Sequence, residues 1–189
     1  MSYKSPNLTR FGLTRAFLRR FFIATYTLVS PVFGADNSVD IDIKGTSTSI
    51  YIKQSGSGGN TARVWCGLSG GVYTQHNCSN AEIDIDQDGQ GNVARAYSQL
   101  AAHTGNEYKI DQDGNDNFGY IDADDDLNDM DIVSNGNNND AEIYMQGDNN
   151  VYSITQTGND KEGEIRAFGD SSNFSINQSG SGEHYAKIY

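Results

Sequence analysis

The stretch Ile83-Asp84-Ile85-Asp86-Gln87-Asp88-Gly89-Gln90-Gly91-Asn92-Val93-Ala94-Arg95-Ala96 decides the fold. Its first half alternates apolar Ile83 and Ile85 with acidic Asp84 and Asp86, and Gln87 continues the apolar side. A period of two places Ile83, Ile85 and Gln87 on one face of a β-strand. Gly89 to Asn92 then form a tight polar corner, because Gly and Asn tolerate positive φ. Alternation resumes at Ala94, Ala96 and Ser98. One unit is therefore strand, corner, strand.

Working outward, the unit recurs. Gln-x-Gly starts at Gln54, Gln87, Gln112, Gln156 and Gln178, with a degenerate copy at Ser134-Asn135-Gly136. Successive spacings are 33, 25, 22, 22 and 22 residues. Four positions before each anchor stand Ile50, Ile83, Tyr108, Met130, Tyr152 and Phe174. Two before it stand Ile52, Ile85, Ile110, Ile132, Ile154 and Ile176, an inward apolar column that is Ile in every copy. Past the corner, Ala94, Gly119, Ala141 and Gly163 share one phase, and Ala96, Ile121, Ile143 and Ile165 the next. The second corner is marked by Gly105-Asn106, Asn128, Gly147 to Asn150 and Gly169-Asp170. Two short strands cannot bury their inner face alone, but stacked copies can. The expected fold is all-β: a parallel β-solenoid of about six strand-turn-strand rungs on a 22-residue repeat. The rungs stack amyloid-like, about 4.8 Å apart.

Gln54, Gln87, Gln112, Gln156 and Gln178 point inward in this scheme, as do Asn60, Asn92, Asn117 and Asn139 at the corners. A buried amide without partners is costly. Identical amides stacked one above another satisfy each other as ladders. Capping of the turn is the other reading of the Gln residues.

The chain carries 13 Lys+Arg against 25 Asp+Glu. The first 35 residues hold Lys4, Arg10, Arg15, Arg19 and Arg20 and no acid, so the remainder has 8 basic and 25 acidic residues, a balance of −17. Such a surface repels nucleic acid and anionic lipid, which bind through Lys and Arg. Hydrophobic residues make up 36%, which supplies a conventional globular core poorly.

Residues 1–35 read as a secretory signal peptide. A basic stretch ending at Arg19-Arg20 precedes an apolar run from Phe21 to Phe33, followed by small Gly34 and Ala35. The run is short for a membrane span and Pro31 interrupts it, so no stable span is expected, with an uncleaved anchor as the alternative. Export permits a disulfide between Cys66 and Cys78. Residues 66–80 form a Cys-containing insertion after the first rung, expected to protrude as a loop. Residues 36–45 contain Val39, Ile41 and Ile43 in alternation and read either as a partial extra rung or as a recognition segment for secretion.

These repeats resemble the curlin repeat family, whose units follow Ser-x5-Gln-x-Gly-x2-Asn-x-Ala-x3-Gln. Gln87-Asp88-Gly89-Gln90-Gly91-Asn92-Val93-Ala94 matches the central part in full, and Gln112 to Gly119 matches with Gly in place of Ala. The resemblance covers residues 46–189. Where the family has Ser, this chain has Thr48, Ala81, Asn106, Asn128, Asn150 and Ser172. Where it has a final Gln, Ser98, Ala123, Met145 and Ala167 stand. The resemblance implies export through a dedicated outer-membrane channel with accessory factors. It also implies self-assembly, alone or with a related curli subunit, into extracellular fibres for adhesion and biofilm matrix.

Three function classes compete. A structural fibre subunit is favoured by the open-ended stack, since the sequence ends at Tyr189 within the last second strand and an uncovered edge templates another chain. A monomeric β-solenoid adhesin, calcium-dependent in one version, is suggested by Asp84-x-Asp86-x-Asp88-Gly89. Oxygen-rich stretches of this kind suit Ca²⁺. The EF-hand pattern fails at Arg95 and has no flanking helices, and the preferred reading makes Asp84 and Asp86 outward strand residues and Asp88 a turn former. An enzyme is not expected, since His76, His103 and His184 occupy no recognisable catalytic or metal motif.

Overall fold

The computed structural model describes residues 26–29, 37–43, 46–55, 58–66, 68–69, 72–73, 78–98, 104–124, 126–170, 173–180, 182–183 and 185–189. The basic part and cleavage site of the leader, His76, His103, His184 and Ser172 lie outside the described residues. Among those described there is no helix.

Two parallel sheets carry the fold. The five-stranded sheet has the order β1 (Tyr26–Val29), β3 (Ser49–Gln54), β7 (Glu82–Gln87), β9 (Glu107–Asp111), β11 (Asp129–Val133). The seven-stranded sheet runs β2 (Val39–Ile43), β4 (Ala62–Cys66), β8 (Ala94–Ser98), β10 (Gly119–Ala123), β12 (Ala141–Gln146), β13 (Glu162–Phe168), β14 (Tyr185–Ile188). The two strands of each repeat go to opposite sheets, so each coil lies directly on the preceding one, a β-solenoid of about five turns. The first strands of the last two repeats are held by isolated bridges, Ile132 to Ile154 and Val151 to Asn173, rather than by continuous ladders.

Register follows the 22-residue columns. Ile52 pairs with Ile85, Ile85 with Ile110, and Ile110 with Ile132. Val64, Ala96, Ile121, Ile143, Ile165 and Ile188 align across the other sheet. The alternating burial of β3, β7 and β8 is the period-two pattern made physical: every second side chain points between the sheets. The outward residues Asp84, Lys109 and Asp131 are half-buried, because rungs above and below flank each one. Gly119 has to be small, since a Cβ there would meet Ile132 Cγ2 at 2.7 Å.

Residues 36–45 contribute β2, which pairs with β4 as the second strand of a rung. Its companion is β1, whose Tyr26 and Leu28 align with Ile50 and Ile52. This short strand falls within the apolar run from Phe21 to Phe33. Within the insertion, β5 (Leu68–Ser69) and β6 (Val72–Tyr73) form a two-stranded antiparallel pair. Cys66 and Cys78 are disulfide-bonded with Cα atoms 5.6 Å apart, closing the base of this excursion.

The corners use Gly and Asn at positive φ, as at Gly105 (69°), Asn115 (87°), Asn137 (85°) and Asn159 (75°), but not these alone. The residue entering the second strand takes positive φ in four copies: Thr61 (88°), Val93 (89°), Phe118 (80°) and Asp140 (69°). A left-handed backbone at a β-branched or aromatic residue is strained. It recurs because the preceding Asn turns inward, so the chain has to reverse within one residue.

Candidate assembly site

The inward Gln side chains perform both roles foreseen for them. Across the corner, Gln54 Nε2 donates to Thr61 O at 3.1 Å, Gln156 Nε2 to Glu162 O at 2.7 Å and Gln178 Nε2 to Tyr185 O at 2.6 Å. Gln112 Nε2 donates to Phe118 O in the same way. At Thr61 and Phe118 the amide thus holds the carbonyl of the strained residue. Between rungs, Gln87 Nε2 donates to Gln54 Oε1 and Gln156 Nε2 to Gln178 Oε1, both at 2.7 Å. The column breaks at Ser134, whose buried Oγ has no hydrogen-bond partner. A serine cannot span the rung spacing as a carboxamide does.

The Asn column is continuous across four rungs. Asn92 Nδ2 donates to Asn60 Oδ1 (3.3 Å), Asn117 Nδ2 to Asn92 Oδ1 (2.9 Å) and Asn139 Nδ2 to Asn117 Oδ1 (2.9 Å). All four residues are buried. The fifth copy carries Lys161 at this position, 1% exposed, its Nζ donating to Asn159 O at 2.6 Å. Lysine has no acceptor, so the ladder cannot pass beyond it. The Ile column from Ile52 to Ile154 is fully buried, whereas Ile176 is only partly covered.

Three further columns carry the pairing around the corners, two of them at residues the sequence marks as the second corner, though their partners are backbone N–H groups rather than like side chains. At the second corner, Asn106 Oδ1 accepts from Ala81 N (2.8 Å), Asn128 Oδ1 from Asn106 N (2.9 Å) and Asn150 Oδ1 from Asn128 N (2.8 Å). Near the first corner, Asn115, Asn137 and Asn159 do the same to the rung below, at 2.8, 2.5 and 2.7 Å. Asp126 and Asp148 accept from the backbone N–H of Asp148 and Asp170, both at 2.7 Å. These side chains replace strand hydrogen bonds where the backbone turns, so pairing continues around the coil. The signal was present: each set recurs 22 residues apart.

The outer faces differ. On the five-stranded sheet, Lys53 Nζ contacts Asp86 Oδ2 at 2.5 Å, and Asp84, Lys109 and Asp131 stack with alternating sign. Burial raises the carboxyls of Asp84 and Asp111 above their ordinary range, with Lys109 opposing and Asp86 adding to the rise. Among the described residues no three His, Cys, Asp or Glu side chains are grouped as a metal site. On the seven-stranded sheet, Trp65 stacks on Tyr97 with ring centroids 4.1 Å apart and planes 9° apart. Arg63 and Arg95 align beside them.

Among the described residues, the ends of the stack have no further strand on them. β14 and β2 terminate the seven-stranded sheet, and Phe174, Tyr185, Ile188 and Tyr189 are exposed at the β14 end. No helix among the described residues is long and apolar enough to cross a membrane. Comparison with protein-family models, with curated proteins and with solved structures returned no match.

Proposed function

We propose that this chain is a secreted structural subunit that stacks end to end into extracellular, curlin-like amyloid fibres serving adhesion and biofilm matrix. The observation that supports the reading is the parallel, in-register stacking of the rungs up to the terminal strands β2 and β14. Among the described residues β2 and β14 are edge strands, and an edge strand templates a further strand; exposed apolar side chains lie beside β14. In the native register a further rung on β14 places Val39 over Ala186, Ile41 over Ile188 and Asp40 over Lys187. Apolar meets apolar, and an acid meets a base. The partners are other copies or a related subunit. An outer-membrane channel and accessory factors enter by the curlin resemblance alone.

The experiment is dilution of residues 35–189 from denaturant without calcium, followed by thioflavin fluorescence and fibre diffraction. Reflections near 4.7 Å and about 10 Å, the two cross-β spacings, are expected. A soluble β-rich monomer giving neither signal would sink the fibre reading. A monomeric β-solenoid binding module would then take first place.

A further inference from the structure

Arg63 and Arg95 lie on adjacent strands, paired in register on the outer face of the seven-stranded sheet. Neither is in an ion pair among the described residues, although the chain carries a large excess of acid. Like charges directly opposite on neighbouring strands destabilise a sheet. Arg63 is exposed, and Arg95 lies 5.4 Å from the Phe118 ring with its buried Nε lacking a hydrogen-bond partner. Trp65 and Tyr97 form a stacked pair alongside. Arg63 has Asp40 of β2 opposite it in register and Arg95 has Tyr120, without an ion pair among the described residues, so these guanidiniums beside a half-buried aromatic pair are placed to take an anionic partner presenting charges at the rung spacing.

The chain itself presents such a surface. The outer face of the five-stranded sheet carries Asp84, Asp86, Asp111 and Asp131 against Lys53 and Lys109. Crowding among these carboxylates is relieved by incoming cations. Both faces belong to one solenoid, so their spacings match over any number of rungs. The charge gradient selects orientation. The acids of the five-stranded sheet occupy its N-terminal rungs and give way to Ser153, Thr155, Ser175 and Asn177. On the seven-stranded sheet the column runs Asp40, Arg63, Arg95, Tyr120, Glu142, Glu164, Lys187, so between its two end residues the bases precede the acids. Parallel copies offset by one rung set Arg63 and Arg95 over the β7 and β9 carboxylates, and Glu142 and Glu164 over Ser153 and Ser175. Antiparallel copies would set acid on acid.

We propose that the outer face of the seven-stranded sheet docks side by side on the outer face of the five-stranded sheet of a second, parallel copy, with Arg63 and Arg95 seated on its carboxylates. The contact is heterologous, so it propagates and bundles filaments rather than closing a dimer. Its role in bundling rests on the fibre reading, whereas the pairing of the two faces does not.

The test compares the wild-type chain with Arg63→Gln/Arg95→Gln, Arg63→Asp/Arg95→Asp and Asp84→Lys/Asp111→Lys. Filament width is read by electron microscopy, and the soluble fraction by sedimentation, at low salt and at about 0.5 M salt, where screening is strong. Wild-type filaments are expected to bundle at low salt and separate at high salt. Both arginine variants should give single filaments, and mixing the Asp pair with the Lys pair should restore bundles. Bundles of unchanged width in both arginine variants overturn the docking while leaving the fibre intact. Wild-type filaments that remain single at every salt also overturn it. If no fibre forms, the fibre reading falls and the soluble species decides. A low-salt oligomer lost in Arg63→Gln/Arg95→Gln supports the docking, and a monomer overturns it.

Discussion

Ile110 sits in a column where every neighbour along the stack is also isoleucine, with no exposed surface. Rungs above and below hold the site open, so it cannot collapse around a smaller side chain. Ile110→Ala should cost about 2–5 kcal/mol in urea unfolding. Asn117 donates to Asn92 and accepts from Asn139, so Asn117→Ala strands two buried amide groups. A loss of about 1–3 kcal/mol is expected in the same measurement. A cost near zero would mean that the Asn ladder contributes nothing net. Asp140 is the residue to watch against pH. Burial, reinforced by Glu162, Glu142 and Glu164, pushes its carboxyl up to about 6. The folded chain then binds a proton more readily than the unfolded one, so this group's ionisation opposes folding above that range. Stability should rise as pH falls through about 6, and the gain should be complete below the ordinary value of 3.8. Asp140→Asn, which tolerates the positive φ, should flatten that part of a thermal-unfolding profile.

Among the elements, the β4 to β7 excursion is the least regular, and the Cys66–Cys78 bridge closes it. The bridge spans a separation of 12 residues, a short loop. Reduction, or Cys66→Ser with Cys78→Ser, should lower stability by about 2–3 kcal/mol on the chain-entropy model. Exchange protection is expected to fall in β4 and β7 before β12. The pairing of β10 with the facing strand shows how tightly the sheets approach. Gly119→Ala adds one methyl group against Ile132, although Ala94 and Ala141 occupy the same column in adjacent rungs. The expected cost is about 1–3 kcal/mol from overpacking, read by denaturant titration.

For the whole molecule, the consequence of an open stack is directional growth. Lys187 at one end and Asp40 at the other come together when a copy adds in register. Lys187→Asp should slow fibre elongation from preformed seeds by about tenfold, a penalty of about 1.4 kcal/mol at the growing end. Asp40→Lys in the added copies should recover the rate. Equal rates for all combinations would show that growth uses another register. Salt should act oppositely at two levels, dispersing bundles while speeding elongation of so acidic a chain.

Composition and period alone determined that the chain is all-β, that it coils with a 22-residue repeat, and which side chains point inward. Period two, the Ile column and the Gln-x-Gly corners all agree, and local agreement of this kind leaves little choice of fold. The Gln and Asn ladders were readable for the same reason, since identical residues at one phase have to stack. Only the tertiary structure decided the rest. That Gln87 bonds along the stack, Gln156 both along the stack and to the corner carbonyl, and Gln112 to the corner carbonyl depends on which amide neighbours each, and Ser134 interrupts the series. The corner columns at Asn106, Asn115 and Asp126 depend on backbone N–H groups freed where the chain turns, which no periodicity in hydrophobicity records. The juxtaposition of Arg63 with Arg95, and of Trp65 with Tyr97, arises across an insertion that displaces them by 32 positions in sequence while leaving them one rung apart in space. Stacking erases the length of the intervening loop, so neighbours across a rung are set by register and not by distance along the chain.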